Sequence, residues 1–179
     1  MKKRTLLTIG ILMGLSVSLS AQSGATEGNS ASANLLVAMT LQEQSTLSFG
    51  STLITDTAVE GKVVLASTNA TRVHTGGVEG SAATPTASNA TYAVTGTALE
   101  TYAVSLPASI EVVHGTNTDQ KMTINAMTAR FNNANEDAVT STLSSTGTDS
   151  FSVGGTLTVA PGQLGGAYAG TFEVTVDYN

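Results

Sequence analysis

The segment Tyr168-Ala-Gly-Thr-Phe-Glu-Val-Thr-Val-Asp-Tyr178 alternates apolar and polar side chains over most of its length. Successive side chains of a β-strand point to opposite faces, so this period of two predicts a strand with one apolar and one polar face. Its Thr and Val residues also favour a strand over a helix. The predicted core face consists of Phe172, Val174, Val176 and Tyr178. We therefore expect this segment to complete a sheet over an apolar core.

Short runs of the same kind, separated by turn residues, occupy most of the chain. Examples are Val63–Leu65, Thr91–Val94 and Thr101–Val104. Residues 151–159 alternate across Gly154–Gly155, where we expect a β-bulge or a close backbone approach. No window after residue 20 has a convincing helical stripe. The pattern predicts one all-β domain over residues 34–179, an immunoglobulin-like β-sandwich of about nine short strands.

The first residues have the pattern of a secretory signal peptide. Basic residues at positions 2–4 precede an apolar run at 6–19, and small residues predict cleavage near Ser20–Ala21. We expect residues 1–20 to be the signal peptide and the small, polar residues 21–33 to be a flexible tether. A short membrane anchor is the alternative, but the run is short for a membrane span. The mature chain is expected in the periplasm, at the cell surface or outside the cell, without a stable membrane span.

The composition restricts the partners and the chemistry. Four basic residues follow the predicted signal peptide, Lys62, Arg72, Lys121 and Arg130, against 13 acidic residues. Because such a surface repels phosphate groups, we do not expect nucleic acid as a partner. The chain of 179 residues contains no Cys, which excludes disulfides, thiolate metal ligands and cysteine nucleophiles.

A second alternating segment begins after the predicted tether. Its apolar face consists of Leu35, Val37, Met39 and Leu41. The segment predicts either an ordinary first strand or a strand that inserts into a neighbouring subunit, since both require the same alternation. An ordinary first strand is the simpler interpretation.

No residue pattern indicates catalysis, a cofactor or a firm metal site. The two histidines, His74 and His114, have no partners at a ligand spacing, which favours surface loops for both. The polar residues of segment 132–137 predict a solvated turn or, less simply, a weak calcium loop. Asn69 and Asn89 each begin an Asn-Ala-Thr triplet that fits the glycosylation pattern, although such triplets arise readily in a Thr-rich chain. We therefore predict a protein that is not an enzyme and that needs no cofactor.

The ending Phe151-Ser-Val-Gly-Gly-Thr-Leu-Thr-Val159, followed by Gly165-Gly-Ala-Tyr-Ala-Gly-Thr-Phe-Glu-Val-Thr-Val-Asp-Tyr-Asn179, resembles the closing signature of an exported bacterial family, domain of unknown function 4402. Segments 47–50, 76–78 and 102–107 stand where that family has similar elements. The chain is also similar, more distantly, to spore-coat U and fimbrial (pilin-like) subunit domains. Those domains are immunoglobulin-like sandwiches of surface filaments.

This resemblance implies a fold and a compartment more firmly than an activity. We expect an exported, non-enzymatic surface protein, a pilin-like or coat-like structural or adhesive subunit. It would assemble through strand pairing with itself or with other surface subunits. The alternative is a free-standing secreted module that binds carbohydrate or protein, and a secreted hydrolase is a third hypothesis.

Overall fold

The computed structural model describes Gly28 and residues 30–132 and 134–179, and its compact unit spans Leu35–Asn179. The predicted signal peptide and most of the predicted tether lie outside the described residues. Thirteen strands are described, and all of their pairings are antiparallel. They are β1 (Thr40–Ser45), β2 (Thr52–Ile54), β3 (Gly61–Leu65), β4 (Arg72–Gly76), β5 (Val78–Gly80), β6 (Ala90–Thr95), β7 (Thr101–Ser105), β8 (Ser109–His114), β9 (Lys121–Phe131), β10 (Thr140–Thr142), β11 (Thr148–Val159), β12 (Tyr168–Ala169) and β13 (Thr175–Tyr178).

Strand β11 lies at the centre of the largest sheet. On one side it pairs with β9, and the sheet continues to β8 and β12. On its other side, residues 148–153 pair with β6 and residues 155–159 pair with β3, and the sheet continues to β1 and β4. A second sheet has the order β10-β7-β13, and β2 pairs with β5. The long β11 is therefore shared by two halves of the domain.

The first core lies between β7 and the N-terminal half of β11, and it contains a chain of four aromatic rings. Tyr92 stacks on Phe151 with the ring centroids 5.1 Å apart. Phe151 lies 5.7 Å from Phe131, and Phe131 meets Tyr102 edge to face, also at 5.7 Å. Pairs of this kind stabilise a core beyond the burial of their area. All four rings are buried.

Tyr102 also joins the two sheets through its hydroxyl group. The hydroxyl donates to Asp149 Oδ2 at 3.0 Å, and the hydroxyl of Ser141 donates to the same oxygen at 2.6 Å. Burial, followed by the negative charge of Asp149, raises the pKa of Tyr102 far above its ordinary value. The phenol therefore stays protonated and remains a donor, tying β7 to β11.

The second core lies against the C-terminal half of β11 and is mostly aliphatic. Its buried members are Phe49, Val63, Leu65, Val78, Ile110, Val112, Ile124, Leu157 and Val159. These residues come from β3, β5, β8, β9 and β11 and from the segment before β2. The two cores together account for the long strands β9 and β11, each of which contributes to both.

A β-bulge in β9 allows one strand to serve both cores. Ala126 has a positive φ of 48°, and the register between β9 and β11 shifts at this point. Ile124 and Phe131 are seven residues apart, so a regular strand would place them on opposite faces. The extra residue of the bulge changes the alternation, and both side chains are buried.

Gly154 confirms the predicted close approach of the backbone, while the bulge lies on the facing strand. A Cβ at Gly154 would collide with the carbonyl oxygen of Leu65 and would lie 2.7 Å from the amide nitrogen of Ser67. Gly155 lies opposite Ala126 and Met127, the two residues of β9 that face a single residue of β11. The pair of glycines therefore marks the bulge, but Ala126 adopts its unusual conformation.

The prediction of an all-β sandwich is confirmed, and no helix occurs among the described residues. The strands number thirteen rather than about nine, because β2, β5, β10 and β12 contain only two or three residues each. Such short pairings have too few residues for a readable alternation. Within the described part of the chain, no helix is long and apolar enough to cross a membrane.

Candidate functional site

The first strand begins five residues later than the apolar alternation predicts. Strand β1 starts at Thr40, opposite Thr95, which is the last residue of β6. Because β6 ends there, the residues before Thr40 have no ladder partner in this sheet. As a strand of its own domain, the predicted segment Leu35–Leu41 is therefore formed only from Thr40 onward, and the alternative of a strand that inserts into a neighbour stays a prediction.

The four predicted face residues separate into two pairs. Met39 and Leu41 are partly buried against the first core. Leu35 is 86% exposed and Val37 is 64% exposed, and Leu36 between them is 46% exposed. Three consecutive large apolar side chains thus lie in solvent immediately before the sheet. The structure does not bring Leu35 and Val37 into the core of their own domain.

Strand β1, which follows this segment, is an edge strand. It pairs with β6 on one side, and no described strand pairs with its other side. Gln42, Glu43 and Gln44 are exposed along it. Polar and charged side chains are a common protection of sheet edges against unwanted pairing. The apolar residues before β1 lack this protection.

The C-terminal segment crosses from one sheet to the other instead of forming one continuous strand. Strand β12 pairs with β8 in the large sheet, and β13 pairs with β7 in the small sheet. Residues 170–174 between them belong to neither ladder. The prediction of a single strand from Tyr168 to Tyr178 is wrong for this reason.

Apolar and polar side chains nevertheless alternate through the segment that passes from one sheet to the other. Phe172, Val174, Val176 and Tyr178 are partly buried against the core, whereas Thr171, Glu173, Thr175 and Asp177 are exposed. An extended backbone keeps the period of two even where it has no ladder partner. These four apolar side chains therefore cover the first core.

The two candidate segments meet at the hydroxyl of Tyr178. This hydroxyl donates to the carbonyl oxygen of Val37 at 2.6 Å and accepts from the amide of Thr97 at 2.6 Å. The amide of Val37 donates to Thr97 Oγ1, also at 2.6 Å. Both backbone groups of Val37 are therefore held, although its side chain is exposed. We call these three residues the latch.

Gly96 leaves the space that the latch needs. A Cβ at this position would collide with the Tyr178 hydroxyl and would lie 2.9 Å from a methyl group of Leu143. Any larger residue would displace the phenol from Val37. The turn after β6 thus positions the N-terminal segment as well as ending the strand.

The polar loop after β9 is held by an ion pair instead of offering free oxygen ligands. Asp137 Oδ1 accepts from Arg130 Nε at 2.8 Å and from the Ser67 hydroxyl at 2.6 Å. Partial burial raises the pKa of Asp137, but the hydrogen bonds from Ser67 and Arg130 outweigh it and leave the pKa below its ordinary value. This carboxylate is already neutralised, which favours the solvated turn over the calcium loop. Asn133 lies outside the described residues.

The surface-loop interpretation of the histidines is wrong, because both lie in strands. His74 is half-buried in β4, and burial, followed by the charge of Arg72, lowers its pKa. His114 is the last residue of β8, and its Nδ1 accepts from the amides of Thr116 and Asn117 at 3.2 and 3.1 Å. Among the described residues, no group of three His, Cys, Asp or Glu side chains could hold a metal ion.

Asn89, which begins one of the two Asn-Ala-Thr triplets, is buried and has a structural role. Its side-chain amide donates to the carbonyl oxygens of Ala66 at 2.6 Å and Val153 at 3.1 Å. Its side-chain oxygen accepts from the amide of Ala70 at 2.6 Å. The side chain closes the turn between β3 and β4 onto β11, so it is not a glycosylation acceptor in the folded domain. Asn69, by contrast, is exposed.

Comparison of the chain with known proteins gives one family. A family model described as "Domain of unknown function (DUF4402)" matches residues 39–178. The chain belongs to this family. The match begins at Met39 and ends at Tyr178. It therefore includes the partly buried Met39 and Leu41 and leaves out the exposed Leu35 and Val37. No curated protein and no solved structure matches the chain. The more distant similarity to spore-coat U and fimbrial subunits therefore stays a prediction.

Proposed function

We propose that this DUF4402 protein is an exported, non-enzymatic surface subunit that assembles with other copies through its N-terminal segment. The observation that carries the proposal is the exposure of Leu35, Leu36 and Val37 directly before an edge strand. The predicted signal peptide supports export, and the all-β family fold supports a structural role. The proposal concerns assembly, and no catalytic step is part of it.

The free energy for such an assembly would come from burial of apolar area. Burial of a fully exposed large apolar side chain stabilises an assembly by about 1.5–3 kcal/mol. Residues 35–37 belong to neither core of their own domain, so a partner can bury their exposed area. Because the sequence run Leu35–Leu41 has the alternation of a strand, the pairing mode would be the addition of a strand to a neighbouring sheet edge. Backbone hydrogen bonds would give the affinity, and the alternate side chains would give the register.

The latch would fix where this segment leaves its own domain. Tyr178 and Thr97 hold the backbone of Val37 at the surface, while Met39 and Leu41 are packed in the core. Residues before Val37 are therefore free to reach a neighbour without unfolding β1. Because both backbone groups of Val37 are already bonded, the backbone pairing would come from the residues before it, and Val37 would contribute only its exposed side chain.

The test is the triple variant Leu35→Ser/Leu36→Ser/Val37→Ser of the exported chain. We expect the wild-type protein to form multimers in sedimentation analysis and in unheated gel electrophoresis, and the variant to be monomeric with an unchanged unfolding midpoint. The matched control is Leu53→Ser/Val59→Ser/Leu99→Ser, which removes three exposed apolar side chains elsewhere. The control should assemble like the wild type. A strictly monomeric wild type at high concentration, or a fully assembling triple variant, contradicts the proposal.

A further inference from the structure

Three end strands of the described sheets, β1, β4 and β13, are longer than three residues. Among the described residues, each of them pairs with another strand on one side only. The free side of an end strand presents unpaired amide and carbonyl groups, and natural edges are protected by charged side chains, proline, bulges or short length. The other end strands, β2, β5, β10 and β12, have only two or three residues. The three longer strands are therefore the edges to which a strand from a neighbour can add.

Two of these three edges carry acidic side chains. Glu43 is exposed on β1, and the register between β1 and β6 is irregular beside it. Asp177 is exposed on β13, and Glu173 is exposed just before this strand. Residues 33–37 contain no basic side chain. An apolar side chain placed beside these carboxylates would remove water from them without supplying a counter-charge, which is unfavourable.

Strand β4 has an uncharged outward face. Its outward side chains are Val73 and Thr75, and Val73 is 57% exposed. Val73 lies opposite Val64 of β3, which is 41% exposed. Two neighbouring valine side chains thus lie in solvent at the end of the large sheet. This is the pattern that natural sheet edges usually avoid, and it favours pairing with an apolar strand.

The charged residue of β4, Arg72, is engaged within its own domain. A charged side chain that points inward can also protect an edge. Here Arg72 Nη1 donates to the carbonyl oxygens of Phe49 at 2.9 Å and Ser51 at 2.8 Å, and Nη2 donates to that of Ser81 at 3.2 Å. The guanidinium therefore holds the segments that flank β2 and β5, and it does not protect the free side of β4.

The backbone of β4 has free groups at alternate residues. Just beyond the ladder, the amide of Ala66 donates to the carbonyl of Thr71. Hydrogen-bonded pairs alternate along an antiparallel ladder, so Val73 bonds to β3, while Arg72 and His74 turn their amide and carbonyl groups to the free side. Within the described part of the chain, no other segment bonds to these groups. Their spacing is the one at which an added strand forms its hydrogen bonds.

We propose that β4 of one copy receives residues 33–36 of a second copy as an added strand, with Leu35 beside Val73. This inference rests on the proposed assembly and names its acceptor edge. Residues 33–36 are all exposed, and the latch holds Val37 directly behind them. Leu35 extends the row formed by Val73 and Val64, and apolar pairs across neighbouring strands stabilise a sheet. Because donor and acceptor are different surfaces, each added copy again presents a free segment and a free edge.

The first experiment is disulfide cross-linking, for which the absence of Cys from the chain is an advantage. Neighbouring strands place opposite Cα atoms about 4.5–5.5 Å apart, within the range of a disulfide. The mature Leu35→Cys protein is mixed with Val73→Cys and oxidised mildly, and the mixed dimer is quantified by mass spectrometry. The controls replace Val73→Cys with Gln42→Cys on β1 or Thr175→Cys on β13, both exposed positions. We expect about fivefold more mixed disulfide with Val73→Cys than with either control. Equal yields overturn the proposal.

The second experiment places a charge on the acceptor edge. Val73→Lys changes an exposed, outward side chain, so the unfolding midpoint of the monomer should change little. We expect the association constant measured by sedimentation to fall about tenfold or more, because Leu35 of the neighbour would then lie beside a charge. Gln42→Lys, at an exposed position on β1, is the matched control and should assemble like the wild type. Unchanged assembly of Val73→Lys overturns the assignment of β4.

The failure of this inference can be distinguished from the failure of the proposed function. If the wild type assembles and Leu35→Ser/Leu36→Ser/Val37→Ser does not, but Leu35→Cys links preferentially to position 42 or 175, then the assembly stands and the β4 assignment is overturned. If the wild type is strictly monomeric at high concentration, the proposed function and this inference both fail. A preferred disulfide between positions 35 and 73, together with weaker assembly of Val73→Lys, supports β4 as the acceptor edge.

Discussion

The hydroxyl of Tyr178 donates a 2.6 Å hydrogen bond to the carbonyl oxygen of Val37, 141 positions earlier in the chain. The two ends of the compact unit are therefore joined directly, with Thr97 as the third member of the latch. An exposed apolar segment is usually free to move, but here its last residue is held in place. This contact decides how the N-terminal segment leaves the domain.

Replacing Tyr178 with Phe should loosen the N-terminal segment without unfolding the domain. The ring stays in the core, while Val37 loses a donor and the Thr97 amide loses its acceptor. We expect faster hydrogen exchange at the Thr97 and Val37 amides and a loss of about 0.5–1.5 kcal/mol in unfolding free energy. Tyr168→Phe is the control, because its hydroxyl contacts Gln163 and Leu164 instead. Unchanged exchange at Thr97 would contradict the latch.

Asn89→Ala should destabilise the whole domain. The substitution removes the side-chain hydrogen bonds to the carbonyl oxygens of Ala66 and Val153 and from the amide of Ala70. We expect a loss of about 1–3 kcal/mol in the free energy of unfolding by urea. Asn69→Ala, at the exposed triplet, should change this free energy by less than about 0.5 kcal/mol. Equal effects at the two positions would show that the buried amide has no special role.

Tyr102→Phe should test the connection between the two sheets. The phenyl ring keeps its contact with Phe131, so the change isolates the hydroxyl and its bond to Asp149. We expect a loss of about 1–3 kcal/mol, because Asp149 then lacks one donor in a partly buried place. Ser141→Ala removes the other donor to the same oxygen, and we expect the effects of the two changes to be non-additive. Strict additivity in a double-mutant cycle would mean that the two donors act independently.

His74 should make the domain less stable at mildly acidic pH. Its pKa in the folded state lies below the ordinary value of 6.5, because burial and then Arg72 oppose the charged form. The unfolded chain therefore binds a proton before the folded one, and the stability contribution present above pH 6.5 is lost as the pH falls toward the lower folded value. His74→Leu should remove this part of the pH dependence and should cost little at pH 8, since the Nε2 of His74 is buried without a partner among the described residues. Urea unfolding between pH 8 and pH 5 measures both, and a variant profile parallel to the wild type would refute the assignment.

The sequence predicted those parts of the fold in which alternating apolar and polar residues alone decide which side chains face the core. Phe172, Val174, Val176 and Tyr178 show the expected period even where their segment leaves the ladder. The Gly154–Gly155 pair marked the close approach of backbones, since only glycine leaves room for the Leu65 carbonyl. These features depend on local geometry and residue size.

The sequence predictions were wrong where the structure of a segment depends on the strand that pairs with it. The apolar alternation begins at Leu35, but a strand needs a neighbour, and β6 ends at Thr95. Alternation carries no information about the length of the pairing strand. A bulge or a close backbone approach was predicted at Gly154–Gly155, and the register shift falls there. The strand that holds the extra residue was not identified, because alanine gives no sign of a positive φ.

The candidate site was only partly accessible to sequence reasoning. Leu35 and Val37 could be named from their spacing, but their exposure and the hydrogen bonds of Tyr178 could not. Gly96 was the one available signal of the latch, since its lack of a side chain admits the Tyr178 hydroxyl.

The bulge at Ala126 accommodates one residue of β9 that has no counterpart on β11. Deleting that residue would leave Ile124 and Phe131 six positions apart, so a regular strand would still turn both side chains inward. Inserting one residue between Met127 and Phe131 would instead turn one of the two side chains to the opposite face, and one half of the domain would present apolar side chains to water. A protein shortened by the one alanine should thus be far less damaged than a protein lengthened by one residue in the same strand.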